Sequence, residues 1–174
     1  MATEHMGAAG EILVQYQLLK LEIDSARLTT DSDVDLVVYS PTDGSATTVQ
    51  VKTARSPSPA GGTGKDAISW TFPHDCKADL LAVTLLSTDD VWLFTLTEAQ
   101  SFAQQHTSGG SRRLYSYTDE SKNQVNGVPL KMTDPAAYKL ETRAASNSCV
   151  PHHLQVDCMP ARPTSPAGHP AQVC

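Results

Sequence analysis

From Val34 to Thr53 the chain alternates apolar and polar positions at the period of a strand, on either side of a turn. Val34-Asp35-Leu36-Val37-Val38-Tyr39 is the first run, Pro41-Thr42-Asp43-Gly44 the turn, and Thr47-Thr48-Val49-Gln50-Val51-Lys52-Thr53 the second. Short β-branched runs bounded by Pro, Gly, Asp and Ser predict a β-hairpin. Successive strand side chains point to opposite faces, so Val49 and Val51 take one face while Gln50 and Lys52 take the other. The first strand splits likewise, with Leu36 and Val38 opposed to Asp35 and Tyr39. A register that buries both apolar rows together sets Asp35 beside Gln50 and Lys52. An acid, an amide oxygen and an amine are thereby expected to converge.

The pattern before the hairpin is helical. Between Thr3 and about Asp24, Ile12, Tyr16, Leu19 and Ile23 recur at helix spacing and Leu13 widens the stripe. Gln15, Lys20 and Glu22 occupy the other side, so the Ile12 stripe is expected to be buried. Gly7-Ala8-Ala9-Gly10 precedes Glu11, and each glycine costs a helix about 1 kcal/mol relative to alanine. Either close approach of a neighbouring element or phosphate backbone explains them, or fraying near the terminus does. Ser25 to Thr30 reads as a first strand.

After Lys52, the segment from Ser56 to Lys65 is rich in Pro, Gly and Ser and reads as a mobile loop. Ala67 to Phe72 alternates weakly, as a further strand. Leu80 to Leu86 is almost wholly apolar, which predicts a central strand buried on both faces, and Val91 to Leu96 pairs with it across Ser87 to Asp90. Thr97 to His106 is expected to form a helix capped by Thr97, with Glu98 in its first turn. Arg112 to Tyr117 reads as an edge strand. Asp134-Pro135 opens a helix that runs to about Ala145. From Ser146 the prolines accumulate and the pattern ends, as in a disordered tail. The order of elements predicts an α/β fold with a mixed central sheet flanked by helices. The expected organisation is a core over 1–118, an extension with a short helix over 119–145 and a tail over 146–174.

Composition narrows the function. At 174 residues and 40% apolar content the chain can hold one domain with a real core. A formal charge of −6 excludes a bulk polycation, though not a locally basic groove. The four cysteines include no Cys-x-x-Cys pair, the N-terminus lacks the apolar core of a signal peptide, and no apolar run reaches the ~20 residues of a membrane span. A reduced, cytoplasmic setting is expected, with no membrane partner.

Three other chemistries fail on spacing. Asp31, Asp33 and Asp35 imitate the start of a calcium loop, but Leu36 stands where its glycine belongs and Thr42 where its glutamate belongs. Gly61-Gly62-Thr63-Gly64-Lys65 imitates a phosphate loop, but Pro59 takes the first glycine position and Asp66 the hydroxyl position. Cys149, His152, His153 and Cys158 match no zinc-finger spacing. His74, Asp75 and Cys76 read as structural rather than as a nucleophile pair.

Asp35 followed by Gln50-Val51-Lys52 resembles the active-site hairpin of the PD-(D/E)XK nuclease superfamily. It matches the variant with glutamine in place of the second acid, nearest in flavour to small homing-endonuclease or Holliday-junction-resolvase-like members. Resolvase-like members often carry Ser-Gly in the preceding loop, where this chain has Ser32-Asp33. The resemblance covers roughly residues 7 to 96 and implies a restriction-endonuclease-like core. It implies that Asp35, the Gln50 side-chain oxygen and the Val51 carbonyl hold Mg²⁺, with Mn²⁺ able to substitute. Glu11 is the implied first-helix acid, joining directly or through water, and Lys52 the residue that orients or deprotonates the attacking water. The implied activity is endonucleolytic cleavage of DNA, RNA not being excluded, leaving a 5′-phosphate. Arg55, Lys65, Arg112 and Arg113 are candidates for nucleic-acid contacts, and Tyr115 and Tyr117 for base stacking. A homodimer or larger symmetric oligomer is expected, since a double-strand cut needs two sites or two visits. The alternative is a non-cleaving nucleic-acid- or protein-binding module on the same fold.

Overall fold

The structure is a computed structural model that describes residues 3–29, 33–39, 44–118 and 135–145. The zinc candidates, the hairpin turn at 41–43, Asp31 and the expected tail lie outside the described residues. In chain order the elements are α1 (Thr3–Lys20), β1 (Ser25–Arg27), β2 (Leu36–Tyr39), β3 (Ala46–Ala54), β4 (Ser58–Pro59) and β5 (Asp66–Pro73). There follow β6 (Leu80–Leu85), β7 (Asp90–Thr95), α2 (Leu96–Phe102), β8 (Gln105–His106), β9 (Ser111–Tyr117), a 3₁₀ turn (Pro135–Tyr138) and α3 (Leu140–Ala145).

Two sheets result. The central one has the order β1-β2-β3-β6-β7, with β3 and β6 parallel and every other pair antiparallel. All six residues of β6 are buried, as its unbroken apolar run requires. The second sheet has the order β4-β5-β9-β8. One face of the central sheet packs Leu36, Val38, Val49, Val51, Ala82 and Leu93 against Leu13, Val14 and Leu18 of α1 and Leu140 and Ala144 of α3. The opposite face packs Leu81, Val83, Trp92 and Phe94 against Trp70, Phe72 and Leu114 of the second sheet and Ala99 of α2. Trp70 locks the two layers together, its indole N–H donating to the Thr84 carbonyl at 2.9 Å.

Helix α1 buries a different stripe from the expected one. Gly10, Leu13, Val14 and Leu18 face the sheet, whereas Ile12, Tyr16 and Leu19 are 55%, 57% and 59% exposed. Both stripes are apolar, so hydropathy alone does not choose between them. Gly10 does: a Cβ there would fall 1.9 Å from Thr53 Oγ1 and 2.9 Å from Thr84 Oγ1. Only a glycine-bearing face lets the helix settle this close to β3 and β6.

Other expectations shift at their boundaries. Thr95, not Thr97, caps α2: its hydroxyl accepts from the Glu98 N–H at 3.2 Å while the Glu98 carboxylate accepts from the Thr95 N–H at 2.8 Å. The helix ends at Phe102, and Gln105 and His106 leave it to pair with Arg113 and Arg112. That pairing makes β9 an inner strand rather than an edge. The segment after Lys52 is not an open loop throughout, because β4 pairs with β5 and the Ala60 N–H donates to the Lys65 carbonyl at 2.9 Å. Among the described residues no helix is long and apolar enough to cross a membrane.

Candidate active site

The hairpin register is the one that buries both apolar rows. Leu36 pairs with Val49 and Val38 with Thr47, so Asp35 stands one step before the paired strand, level with Gln50. Its N–H donates to the Val49 carbonyl at 3.0 Å. Its Oδ2 accepts from the Val51 N–H at 2.6 Å, capping the backbone of β3 where β2 has not yet begun. Burial pushes the Asp35 carboxyl above its ordinary range, and the nearby Glu11 and Asp33 carboxylates add to this. The Val51 N–H and the Lys52 ammonium oppose the rise without cancelling it. A half-buried carboxyl that is desolvated and has two further acids near it is a place where a cation would relieve the charge.

Gln50 is only 3% exposed and its amide is engaged. Its Oε1 accepts from the Cys76 thiol at 3.2 Å, a contact buried within the protein. Burial pushes the Cys76 thiol up, and the Asp33 and Asp35 carboxylates push the same way against the Ala78 N–H and Lys52. The sulfur therefore keeps its proton and donates it. The loop bearing Cys76 is fastened to the start of β3 by Asp79, whose Oδ2 accepts from the Thr48 N–H at 2.9 Å and the Thr48 hydroxyl at 2.7 Å. Lys52, half-buried, lies close enough to both Asp35 and Cys76 to lower each.

Glu11 reaches the neighbourhood of Asp35 but is held by a cation. Arg27 donates to its Oε2 through Nη2 at 2.6 Å and through Nε at 2.8 Å. The four basic candidates do not form one patch. Arg55 and Lys65 are exposed, in the connection after β3 and near the tip of the β4–β5 hairpin. Arg112 and Arg113 leave opposite faces of β9. Arg112 donates to His74 Nδ1 at 2.7 Å and contacts His106 Nε2 at 3.0 Å, while Arg113 donates to the Ser69 hydroxyl at 2.9 Å.

Three neighbours of the site escaped the sequence pattern. Cys76 carries no periodic signal, since its place follows from the path of the loop between β5 and β6. Arg27 closes the short strand β1, and the only hint was its charge opposite to that of Glu11. Asp33 reads as a turn former, yet its charge is felt by both Asp35 and Cys76.

The oxygen donors suit a hard divalent cation. Among the described residues only one Asp35 oxygen takes a hydrogen bond, and a carbonyl oxygen such as Gln50 Oε1 has a second lone pair beyond the one the thiol uses. Among the described residues no group of three His, Cys, Asp or Glu side chains could hold a metal. Any ion here would rest on one or two carboxylates, the amide, the backbone and water, which is how magnesium is usually held.

The fold is restriction-endonuclease-like: a mixed central sheet whose β2–β3 hairpin and first helix bring these groups together. A bacterial homing endonuclease, I-Ssp6803I, shares it with a TM-score of 0.52 at 14% identity, over 79% of this chain and 86% of that one. A second neighbour is Hjc of Archaeoglobus fulgidus, a Holliday junction resolvase from an archaeal hyperthermophile. It aligns at a TM-score of 0.42 and 12% identity, over 62% of this chain and 82% of that one. No protein-family model and no curated protein matches the sequence.

Proposed function

We propose that the chain is a metal-dependent endonuclease that hydrolyses phosphodiester bonds in DNA. The observation that carries this reading is the half-buried Asp35 carboxyl, capped by the Val51 N–H at 2.6 Å and set level with Gln50 on the strand face that also carries Lys52, where partial burial and neighbouring acids push it up. The fold it shares with I-Ssp6803I, a homing endonuclease, supports it.

Asp35, Gln50 Oε1 and the Val51 carbonyl would hold Mg²⁺ or Mn²⁺, with Glu11 joining directly or through water. When bound, the ion stabilises the charge that develops on the phosphate. Lys52 orients the attacking water and assists loss of its proton, and the cut leaves a 5′-phosphate. Cys76 keeps the Gln50 amide oxygen turned inward by donating to it. Arg27 restrains Glu11, so the acid contributes in full only when that ion pair loosens.

The protein acts as a homodimer in this reading. Ile12, Tyr16 and Leu19 form an exposed apolar stripe on α1, of the kind that marks interaction surfaces. A non-cleaving module on the same fold is the second reading, favoured by the engagement of Glu11 with Arg27. Incubating supercoiled plasmid with the protein and Mg²⁺ separates the two. Nicking or linearisation that chelation stops and Lys52→Ala abolishes is expected, and intact plasmid over a range of Mg²⁺ and Mn²⁺ would support the second reading.

A further inference from the structure

The outer face of the second sheet carries chemistry that the hairpin site does not use. Arg113, Tyr115 and Tyr117 alternate along β9, so all three leave the face opposite to buried Leu114. Ser69 of β5 stands across from Tyr115 on the same face. The β4 hairpin raises a wall at Pro59, and Gln105 closes the far side. Together they enclose a pocket of about 120 Å³.

Its walls are fixed and of a particular kind. The rings of Tyr115 and Tyr117 meet edge to face, with centroids 5.8 Å apart and planes at 81°. Gln104 anchors the strand beneath them, its Nε2 donating to the Tyr115 carbonyl at 2.8 Å and its Oε1 accepting from the Tyr115 N–H at 3.0 Å. Arg113 is braced against Ser69 and is the one charged side chain among the residues that line the pocket. A drug-sized site spans roughly 300–1,000 Å³, so this one takes a single ring system. Aromatic faces with a guanidinium, an amide and hydroxyls, and no carboxylate, suit a planar polar heterocycle attached to an anionic chain.

The geometry points to a binding site for one unpaired nucleobase of a DNA strand, stacked on Tyr115 or Tyr117 with Arg113 on the adjoining phosphate. The inference rests on the proposed reading that the chain acts on DNA, and it deepens that reading. A base inside a duplex is stacked on both sides and cannot enter, so the pocket favours DNA with displaced or single-stranded bases near the cut.

The test uses the full chain and an end-labelled short single strand, compared with the same strand carrying one central abasic residue. Loss of the base is expected to weaken binding roughly tenfold, the scale of one base–aromatic stack. Tyr115→Ala or Tyr117→Ala, whichever ring carries the stack, should weaken the intact strand by a similar factor and leave the abasic strand unaffected, and full affinity in both variants would overturn the proposal. Tyr117→Phe keeps the ring and should bind as the native protein does. Tyr117→Leu keeps apolar bulk without the aromatic face, and stands in should the alanine variant misfold by circular dichroism. Equal affinity for intact and abasic strands would overturn the proposal, as would a variant that weakens both alike. If base-dependent binding is present but no DNA is cut, the nuclease reading fails and the pocket stands. If DNA is cut while both strands bind alike, the pocket fails alone.

Discussion

A Cβ on Gly10 would lie 1.9 Å from the Thr53 hydroxyl oxygen, so the first helix comes closest to β3 at a residue that has no side chain. Thr53 directly follows Lys52, and Glu11 directly follows Gly10. This contact therefore sets how near the first-helix acid comes to the hairpin.

Gly10→Ala is expected to lower stability although it improves helix propensity. The propensity gain is at most about 1 kcal/mol, whereas forcing a methyl into a filled space costs typically about 1–3 kcal/mol. Gly7, with nothing within 4 Å of its would-be Cβ, is the control, and Gly7→Ala should raise the melting temperature. Thermal melts of the two variants check this, and a Gly10→Ala protein more stable than the native one would contradict the packing of α1.

Asp35→Asn is expected to abolish cleavage while raising the melting temperature at neutral pH. The folded-state pKa of Asp35 lies above its unfolded value because burial penalises the charge. The favourable contribution of such a group is fully present below the unfolded pKa and is lost as pH rises through the folded one. At pH 7 the ionised carboxylate therefore costs stability, and a neutral amide that still accepts from the Val51 N–H removes that cost. Melts of both proteins at pH 4 and pH 7 should show the gain at pH 7 only.

Gln50→Glu is expected to tighten Mg²⁺ binding and to lower stability in its absence. The position is 3% exposed, so an added charge is poorly solvated until a cation compensates it. Calorimetric titration with Mg²⁺, and melts with and without it, read both effects. Weaker binding in the variant would remove Gln50 from the set of metal ligands.

Truncation before Pro135 should destabilise the protein markedly, while a chain ending at Ala145 should melt nearly as the full chain does. Leu140 and Ala144 belong to the core against α1, and Arg143, 6% exposed, donates to both carboxylate oxygens of Glu98 at 3.1 and 2.8 Å. Arg143 is buried and Glu98 half-buried, so removing one partner should cost somewhat less than the ~3–5 kcal/mol of a fully buried pair. Denaturant melts of the two truncations and of Arg143→Ala measure this.

Tyr16→Glu is expected to leave the melting temperature nearly unchanged and to convert a dimer to monomer. The side chain is 57% exposed, so the fold does not need it. Light scattering that shows a monomer in the native protein as well would sink the assembly.

The hairpin was legible in the sequence because a strand has a period of two and a slip of one residue would expose both valine rows. Burial of Leu36, Val38, Val49 and Val51 left Asp35 one position relative to Gln50 and Lys52. The unbroken apolar run of β6 fixed its burial on both faces for the same reason. Helix α1 was harder, because apolar residues surround it and two stripes compete; the tertiary fit of Gly10 against Thr53 and Thr84 chose between them. Nothing local could reveal the partners of the site residues. Cys76 meets Gln50 across 26 positions and Arg27 meets Glu11 across 16, through the path of a loop and the pairing of a short strand. Sequence determined which side chains share a strand face, since that is a property of the backbone period. Only the tertiary structure decided what each of them touches, since those contacts come from segments brought together by packing.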